Sequence, residues 1–581
     1  MNRTTALAFA VLAGVAVLAW SRSRRPDLSR IEPRALFVGD PATLTALEKR
    51  GLAFADVVGE RARGDLLRAV EKDVAELLAA LPANHPRRAF DPAWITRGSF
   101  ELTGIVNRID RRRFDPAGCG EARLVYRLAL TNPGRATTRL PMTVNVRIPQ
   151  PRDRGEPDCA SVANRWLRAT NDDLPALFAE RPLPSEVEIN YQSTHVPAFR
   201  QDMDDSADYV MRAFAVVPGE ARNDFGLAPE GLFDTPRADA DPDVLFAWMS
   251  AHLSEIDASS FTLPKELLAE RVVSVSPRGL EQKQNRPWAR FAEAWKDRLP
   301  SLPLGALRFA KTPELLMRRL DEATCVGCHQ TRGVAGFHLL GEDRGRASFN
   351  ALAFGPSPHF AKDLRWRVQD LARAARGEAP EARPFASFPD GKLDSDCGIA
   401  AGFASWTCEA GLACRDVHHG ELGLCARAGS TMPGATCEDV SFVPDPRPEG
   451  PVVTAKAPDS VCPAPSGAQD TGVFCAPNWL GFTGGLCSER CQKVGERRDD
   501  AICAELPSAG YEADCFVSKE PIERCLSRHV VTAWVATCDA DRVCRPDYGC
   551  ARVRNAPAGI GACVPPYFIF QARVDGPKLD R

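Results

Sequence analysis

The order of sequence patterns predicts an α+β fold: an N-terminal antiparallel sheet with helices, a small helical segment, and a disulfide-rich C-terminal region. Three observations carry this reading. Segments that alternate with period two come first, segments of helical period follow, and cysteines crowd the last third of the chain. The division reads as a signal peptide or anchor over 1–30, an α+β domain over 31–300 and a helical segment over 301–375. A linker over 376–396 and disulfide-rich repeats over 397–581 complete it. With 581 residues the chain is too long for one compact domain.

The predicted strands are Ser99 to Ile109, Arg123 to Leu130, Leu140 to Ile148, Glu186 to Gln192 and Tyr209 to Val217. In each, apolar residues recur at every second position, as half-buried strands require. Helical periodicity marks Asp65 to Leu81, Pro242 to Ile256, Trp288 to Leu299, Pro313 to Glu322 and Phe360 to Arg373. Asp241 before Pro242 and Thr312 before Pro313 are N-cap signals, since each places a side-chain acceptor ahead of a proline in the first turn.

Alternation also defines a polar face on the strands. Met142, Val144, Val146 and Ile148 oppose Thr143, Asn145 and Arg147, while Ile189 and Tyr191 oppose Asn190 and Gln192. Arg127 and Arg212 interrupt otherwise apolar strands. The bland reading is a solvated outer sheet face; the sharper one is a concave face whose arginines hold carboxylates. Arg111-Arg112-Arg113 reads as a solvated turn, because no aromatic residues interleave it. Asp204-Asp205 and the acid-rich stretch Asp239 to Asp243 read as surface or helix-start carboxylates.

Lys and Arg number 73 against 76 Asp and Glu, a net charge of −3. Such a balance creates no overall basic field, so a nucleic-acid partner is not expected. The first residues, Met1-Asn2-Arg3, precede an apolar run from Ala6 to Trp20 that ends at Arg22, Arg24 and Arg25. Fifteen helical residues reach about 22 Å, short of a hydrocarbon core of about 30 Å. The pattern predicts an export signal, with cleavage near Val17-Leu18-Ala19. An uncleaved anchor is the alternative, and it is the one expected membrane contact.

The chain holds 20 cysteines. Two, Cys119 and Cys159, lie in the sheet region, and Cys325 and Cys328 form a close pair. The other 16 fall between Cys397 and Cys563. Segments this dense in cysteine with a thin apolar core normally rely on disulfides and occur in oxidising compartments. The spacing Cys408-x5-Cys414 recurs as Cys538-x5-Cys544. The endings Gly423-Leu424-Cys425, Gly485-Leu486-Cys487 and Gly561-Ala562-Cys563 suggest two or three divergent stapled modules. Pro380, Pro384 and Pro389 with few large apolar residues mark the predicted linker.

One motif carries chemistry. Cys325-Val326-Gly327-Cys328-His329 has the C-x-x-C-H spacing of a c-type haem attachment site. Two thiols three positions apart reach the two vinyl groups of one haem, and the adjacent imidazole lies under the iron. Over about 60 residues around this motif the chain resembles the cytochrome c superfamily. It also looks like exported bacterial proteins of unassigned activity that carry one such motif after an α+β region. The resemblance implies one covalent haem c, with Cys325 and Cys328 as attachment points and His329 as proximal iron ligand. The bland alternatives are a small disulfide loop with a surface histidine, or half of a metal site.

A sixth ligand would decide what the haem does, since a strong ligand favours electron transfer and an open position permits small-molecule chemistry. His338 and His359 are the possible distal ligands, with Met317 and Met432 behind them. His338 lies nine residues past His329, a reach of about 30 Å when extended. No other C-x-x-C-H occurs, and no G-x-S-x-G, H-E-x-x-H or phosphate-binding glycine loop appears. The expected function is therefore electron transfer by an exported protein, periplasmic or at the cell surface, toward an unidentified redox partner. The rivals are a five-coordinate haem enzyme or sensor, and a non-haem extracellular Cys-rich interaction protein.

Overall fold

A computed structural model of the chain describes residues 33–80, 88–131, 138–170, 173–178, 183–195, 207–220, 224–276, 285–325, 358–386, 389–392, 395–416 and 421–427, and then short strands of the tail. The expected export signal, the second half of the C-x-x-C-H motif, His338 and Asp204-Asp205 lie outside the described residues.

Nine strands form one sheet: β1 Phe37–Val38, β2 Arg88–Ala89, β3 Ser99–Arg108, β4 Gly118–Leu130, β5 Thr138–Pro151, β6 Glu186–His195, β7 Ala207–Pro218, β8 Phe225–Glu230 and β9 Arg271–Ser276. β3 to β7 run as a meander in sequence order. β1 closes one edge on β3, β2 pairs with β6, and both β8 and β9 pair with β7. The ladders are antiparallel throughout. Five helices frame the sheet and its polar face: α1 Glu60–Ala80, α2 Ala160–Arg168, α3 Pro242–Ala251, α4 Pro313–Ala323 and α5 Pro358–Ala375. The predicted α+β class is the class observed. Among the described residues no helix is long and apolar enough to cross a membrane.

The main core forms where α1 lies on one sheet face. Leu66, Val70, Val74 and Leu77 recur at helical spacing and pack on Leu124, Tyr126, Val144, Val146, Ile189 and Val210. Arg212 falls on this same apolar face, opposite Ile189. Its place there is explained by Asp73 of α1, a fully buried carboxylate. Arg212 donates to it through Nε and Nη2 at 2.7 and 2.6 Å, Arg271 at 3.1 Å and the Tyr191 hydroxyl at 3.1 Å. Helix and sheet are thereby pinned in one register.

Much of the opposite sheet face is buried, which corrects the bland expectation there, while Asn145 and Arg147 remain half-buried. Arg127, Thr143, Asn190 and Gln192 are all buried. Later chain covers them: Leu232 and Cys325 pack on Met211 and Ala213 of β7. Alternation identified the two faces correctly, but it cannot tell whether a polar face meets water or another layer.

A second core gathers α3 and α4 around Trp288 and Trp295, with Leu316, Met317 and Leu320 from α4. Both expected caps are present, with Asp241 accepting from the Asp243 amide and Thr312 from the Leu315 amide. The predicted helix Pro242 to Ile256 breaks at His252, and Trp288 to Leu299 holds only short helical turns. Asp257 accepts from the amides of Arg308, Phe309 and Ala310 at 2.7–2.9 Å, anchoring the chain just before α4. Asp321 within α4 accepts from the Trp288 amide.

Residues 376–386, read from composition as linker, form a packed strap. Phe385 and Ala386 are buried, Arg319 of α4 donates to the Pro384 carbonyl, and Glu322 accepts from the Ala386 amide. Prolines keep the strap extended, and buried polar groups of α4 take up its backbone donors and acceptors.

The first Cys-rich module is a three-stranded sheet of β10 Asp396–Gly398, β11 Leu412–Asp416 and β12 Leu422–Arg427, stapled by Cys397–Cys414 and Cys408–Cys425. Its Phe403, Trp406 and Leu422 pack against Leu315 of α4 and Phe385 of the strap. A third disulfide, Cys119–Cys159, ties β4 to the start of α2. Further on, β13 Val440–Val443 pairs with β14 Val452–Ala455, and β15 Val473–Ala476 with β16 Leu486–Glu489. The last sheet orders β17 Thr537–Cys538, β18 Gly549–Arg552 and β19 Gly561–Val564 as β17-β19-β18.

This last sheet repeats the first. Cys397 faces Gly423 and Cys414 faces Cys425 in the first module; Cys538 faces Gly561 and Cys550 faces Cys563 in the last. Cys538 therefore corresponds to Cys397, and Cys408-x5-Cys414 corresponds to Cys544-x5-Cys550. The match of Cys408-x5-Cys414 to Cys538-x5-Cys544 drawn from spacing is shifted by one cysteine. Spacing alone is ambiguous here because x5 occurs twice running in the last module.

Peptide mapping of non-reduced protein should find Cys538 bonded to Cys550 and Cys544 to Cys563; a Cys538–Cys544 bridge contradicts the correspondence. Asp73→Ala strands the buried Arg212 charge and should lower unfolding stability by about 3–5 kcal/mol. An unchanged denaturant midpoint would show that the pin contributes nothing.

Candidate functional site

The site begins at the turn between β3 and β4. Asn107 sets it, donating to the Ala35 carbonyl and accepting from the Ile109 amide, and the chain makes a short 3-10 turn over Ile109–Arg113. Gly120 holds β4 against this turn: its φ is +76°, and a Cβ there would lie 2.3 Å from the Arg108 carbonyl oxygen.

The arginine run on this turn is buried in tertiary contacts, which corrects its reading as solvated. Arg108 makes a two-pronged contact with Asp110 at 2.9 and 2.8 Å. Arg111 packs against the rings of Phe114 and Phe233, 4.8 and 4.1 Å from their centroids, with Nε 3.4 Å from Glu121; the two rings meet edge to face 4.8 Å apart. Arg112 reaches Asp370 of α5 at 3.2 Å and the Glu378 carbonyl at 2.9 Å. Arg113 donates Nε to the Asp110 carbonyl and stacks on Trp366 at 4.3 Å. The aromatic partners absent from the run itself are supplied by Phe233 and Trp366, far along the chain.

Behind the turn lies a lattice of carboxylates and arginines on the polar sheet face. Glu121, 1% exposed, contacts Arg123 at 2.6 Å, Arg147 at 2.6 Å and Arg111 at 3.4 Å. Arg123 also meets Glu188 at 2.6 Å, and Arg147 meets Glu186 at 3.2 Å. From the far side Arg383 of the strap joins Asp363 of α5 at 2.9 Å.

An open cleft lies between these elements. Five arginines line it (Arg108, Arg111, Arg113, Arg123, Arg383) against three carboxylates (Asp110, Glu188, Glu322), leaving an excess of two positive charges. The partners just behind the lining balance one another: Arg112, Arg147, Arg318 and Arg367 against Glu121, Glu186, Asp363 and Asp370. The lining is thus net positive.

Cys325 stands at its edge. Thr324 ends α4 by returning its hydroxyl to the Asp321 carbonyl, and the Cys325 amide donates to the Thr235 hydroxyl at 3.3 Å. Cys325 is half-buried and lines the cleft with Thr324 and Phe233. Two strained positions flank this wall. Asp234 and Ser259 have φ of 48° and 55°, the non-glycine residues in the left-handed region among the described residues.

Titration in the lattice follows burial and charge. Burial opposes the charge of Glu121, but Arg123, Arg111 and Arg147 overcome it and hold its pKa at about 2. Asp110 is likewise held well below the ordinary carboxyl value, with Arg108 and Arg367 outweighing burial. Burial lowers Arg113 to about 10 against the attraction of Asp110. Glu186 goes the other way, raised to about 7 by burial and by neighbouring Glu188.

Of the residues singled out from sequence, Cys325 belongs to this cleft. Cys328, His329, His338 and Met432 lie outside the described residues. His359 sits in the first turn of α5, and its side chain is outside the described set. Met317 is a core residue of the tryptophan cluster rather than a ligand. Asp239 and Asp243 are exposed, as expected of surface carboxylates. In the first Cys-rich module the sulfurs of Cys397, Cys408 and Cys425 lie within 4.8 Å of one another, as a metal site would need. Here they are engaged in the two disulfides.

The sharper sequence reading, a face whose arginines hold carboxylates, named Arg127, Arg147 and Arg212 and missed the arginines that line the cleft, although signals existed. Glu121-x-Arg123 places opposite charges on one strand face, and Phe114 directly follows the run. What no local pattern shows is the arrival of Phe233, Trp366 and Arg383.

The raised pKa of Glu186 generates a pH test. Folding raises its pKa above the ordinary 4.5, so its stability contribution is full below pH 4.5 and is lost as pH rises through 7. Glu186→Gln should therefore leave stability unchanged near pH 4.5 and raise it at pH 8, read by urea unfolding. Equal effects at both pH values would contradict the shift.

The comparison with known proteins lends no support to the cytochrome c resemblance: no protein family, no curated protein and no solved structure matches this chain.

Proposed function

We propose that this chain is an exported c-type haem protein that transfers electrons. In this reading Cys325 and Cys328 hold one haem through thioether bonds, and His329 is the proximal iron ligand. Each thiol adds across one vinyl group, the sulfur bonding one carbon and the thiol proton passing to the other. The bound group supplies one-electron chemistry at iron. The chain supplies attachment and a charged and aromatic surround.

The observation that carries the reading is that Cys325, the first cysteine of C-x-x-C-H, opens onto a cleft whose chemistry suits a haem. A haem presents an apolar ring and two carboxylates. The cleft offers Phe114 and Phe233 for the former and an excess of two positive charges for the latter. Buried guanidinium donors on Arg113 lack hydrogen-bond acceptors among the described residues, as expected where an anionic ligand is to be held. His338 or His359 as distal ligand would complete a six-coordinate electron-transfer site.

Export is supported by disulfides, which persist in oxidising compartments. Periplasmic or cell-surface residence fits the same chemistry, because c-type haem is attached outside the cytoplasm.

Full-length protein made together with the haem-attachment machinery should carry the mass of one haem after denaturation and show a low-spin reduced spectrum. Changing Cys325→Ala and Cys328→Ala together should remove the covalent haem. A high-spin spectrum would favour an open iron site and small-molecule chemistry. Bare polypeptide in intact-mass measurement would end the haem reading and leave a stapled interaction protein.

A further inference from the structure

Two arginines of the cleft have donor capacity that the protein does not use. Nη1 and Nη2 of Arg113 are shielded from solvent and have no hydrogen-bond partner among the described residues. Its one hydrogen bond there runs from Nε to the Asp110 carbonyl. Arg111 is 12% exposed and packs beside two phenyl rings, and its Nε, 3.4 Å from a Glu121 oxygen in an ion pair, makes no hydrogen bond. Arg108 and Arg123, by contrast, are matched at 2.6–2.9 Å to Asp110, Glu121 and Glu188. Burying a guanidinium with unused donors is costly unless an anion completes it. The lining carries two more positive than negative charges, and the unused donors belong to two arginines on one turn.

We infer that Arg111 and Arg113 form a receptor for a pair of carboxylates. The planar fork of a guanidinium suits a carboxylate, which accepts two parallel hydrogen bonds. Contact with Phe114, Phe233 and Trp366 restrains both guanidinium groups before a ligand arrives, so less rotamer freedom is lost on binding. The carboxylates have two possible sources, the two propionates of a haem attached at Cys325 or a small free dicarboxylate. The first source rests on the function proposed above; the second does not.

Intact mass of the full-length protein first decides whether a haem is attached. With haem present, Arg111→Gln and Arg113→Gln should each lower the midpoint potential, since losing a nearby positive charge favours the oxidised iron. The expected size is about tenfold in the oxidised-to-reduced ratio, or about 59 mV for one electron. Arg237→Gln, an exposed control charge, should leave it unmoved. Attached haem with an unmoved potential in both cleft variants overturns the receptor and leaves the haem reading standing.

With no haem attached, succinate should raise the unfolding temperature in a concentration-dependent manner, more than acetate at equal ionic strength, and Arg113→Gln should abolish the rise. No rise, or an equal rise with inorganic phosphate, overturns the receptor. Arg113→Lys keeps charge and bulk but loses the fork, so it tests the same point if the glutamine variant does not fold. An intermediate shift is expected from it; a wild-type response overturns the bidentate geometry.

Discussion

Glu121 is the constraint on which the cleft depends. One carboxylate, removed from water, meets Arg111, Arg123 and Arg147, and through them Glu186 and Glu188. Such a lattice is a weak source of net stability, because desolvation offsets most of the attraction. Its effect is geometric. Once the carboxylate is buried, each arginine has one low-energy position, and the turn Ile109–Arg113 is held in a single conformation. Stability comes instead from the two apolar cores and from the disulfides.

The same logic recurs across the molecule. Asp73 fixes α1 on the sheet, Asp257 fixes the entry to α4, and Asp321 fixes Trp288 beneath it. Each buried carboxylate accepts from donors far apart in sequence. Together they set where α4 ends and therefore where Cys325 emerges. The strap and the first Cys-rich module press on the outer side of α4. That module is thus part of the frame around Cys325, while the last sheet repeats its topology without described contacts to the cleft.

This arrangement gives the cleft an uneven character. It is built of strand, edge-to-face rings and ion pairs. Its unused hydrogen-bonding capacity is concentrated at Arg111 and Arg113, beside the cysteine that carries the sequence motif. A redox group or a carboxylate ligand would meet a preorganised charge pattern rather than a flexible one.

Much of this was legible in the sequence, and the limit has a physical cause. Period-two alternation located five of the long strands and sorted their faces. Caps at Asp241 and Thr312 located the starts of α3 and α4. Cysteine density announced the stapled tail, and spacing singled out Cys325. These are local properties, set within a few residues by backbone geometry and side-chain reach. Whether a polar face meets water is not local. Arg111 to Arg113 read as solvated because their partners, Phe233, Trp366, Asp370 and Glu378, lie between about 120 and 270 positions away. The strap misled for the same reason, since its prolines signal extended chain whether or not α4 lies beneath it. Sequence determined the elements and singled out Cys325; only packing decided which charges left water and, through that, which arginines line the cleft.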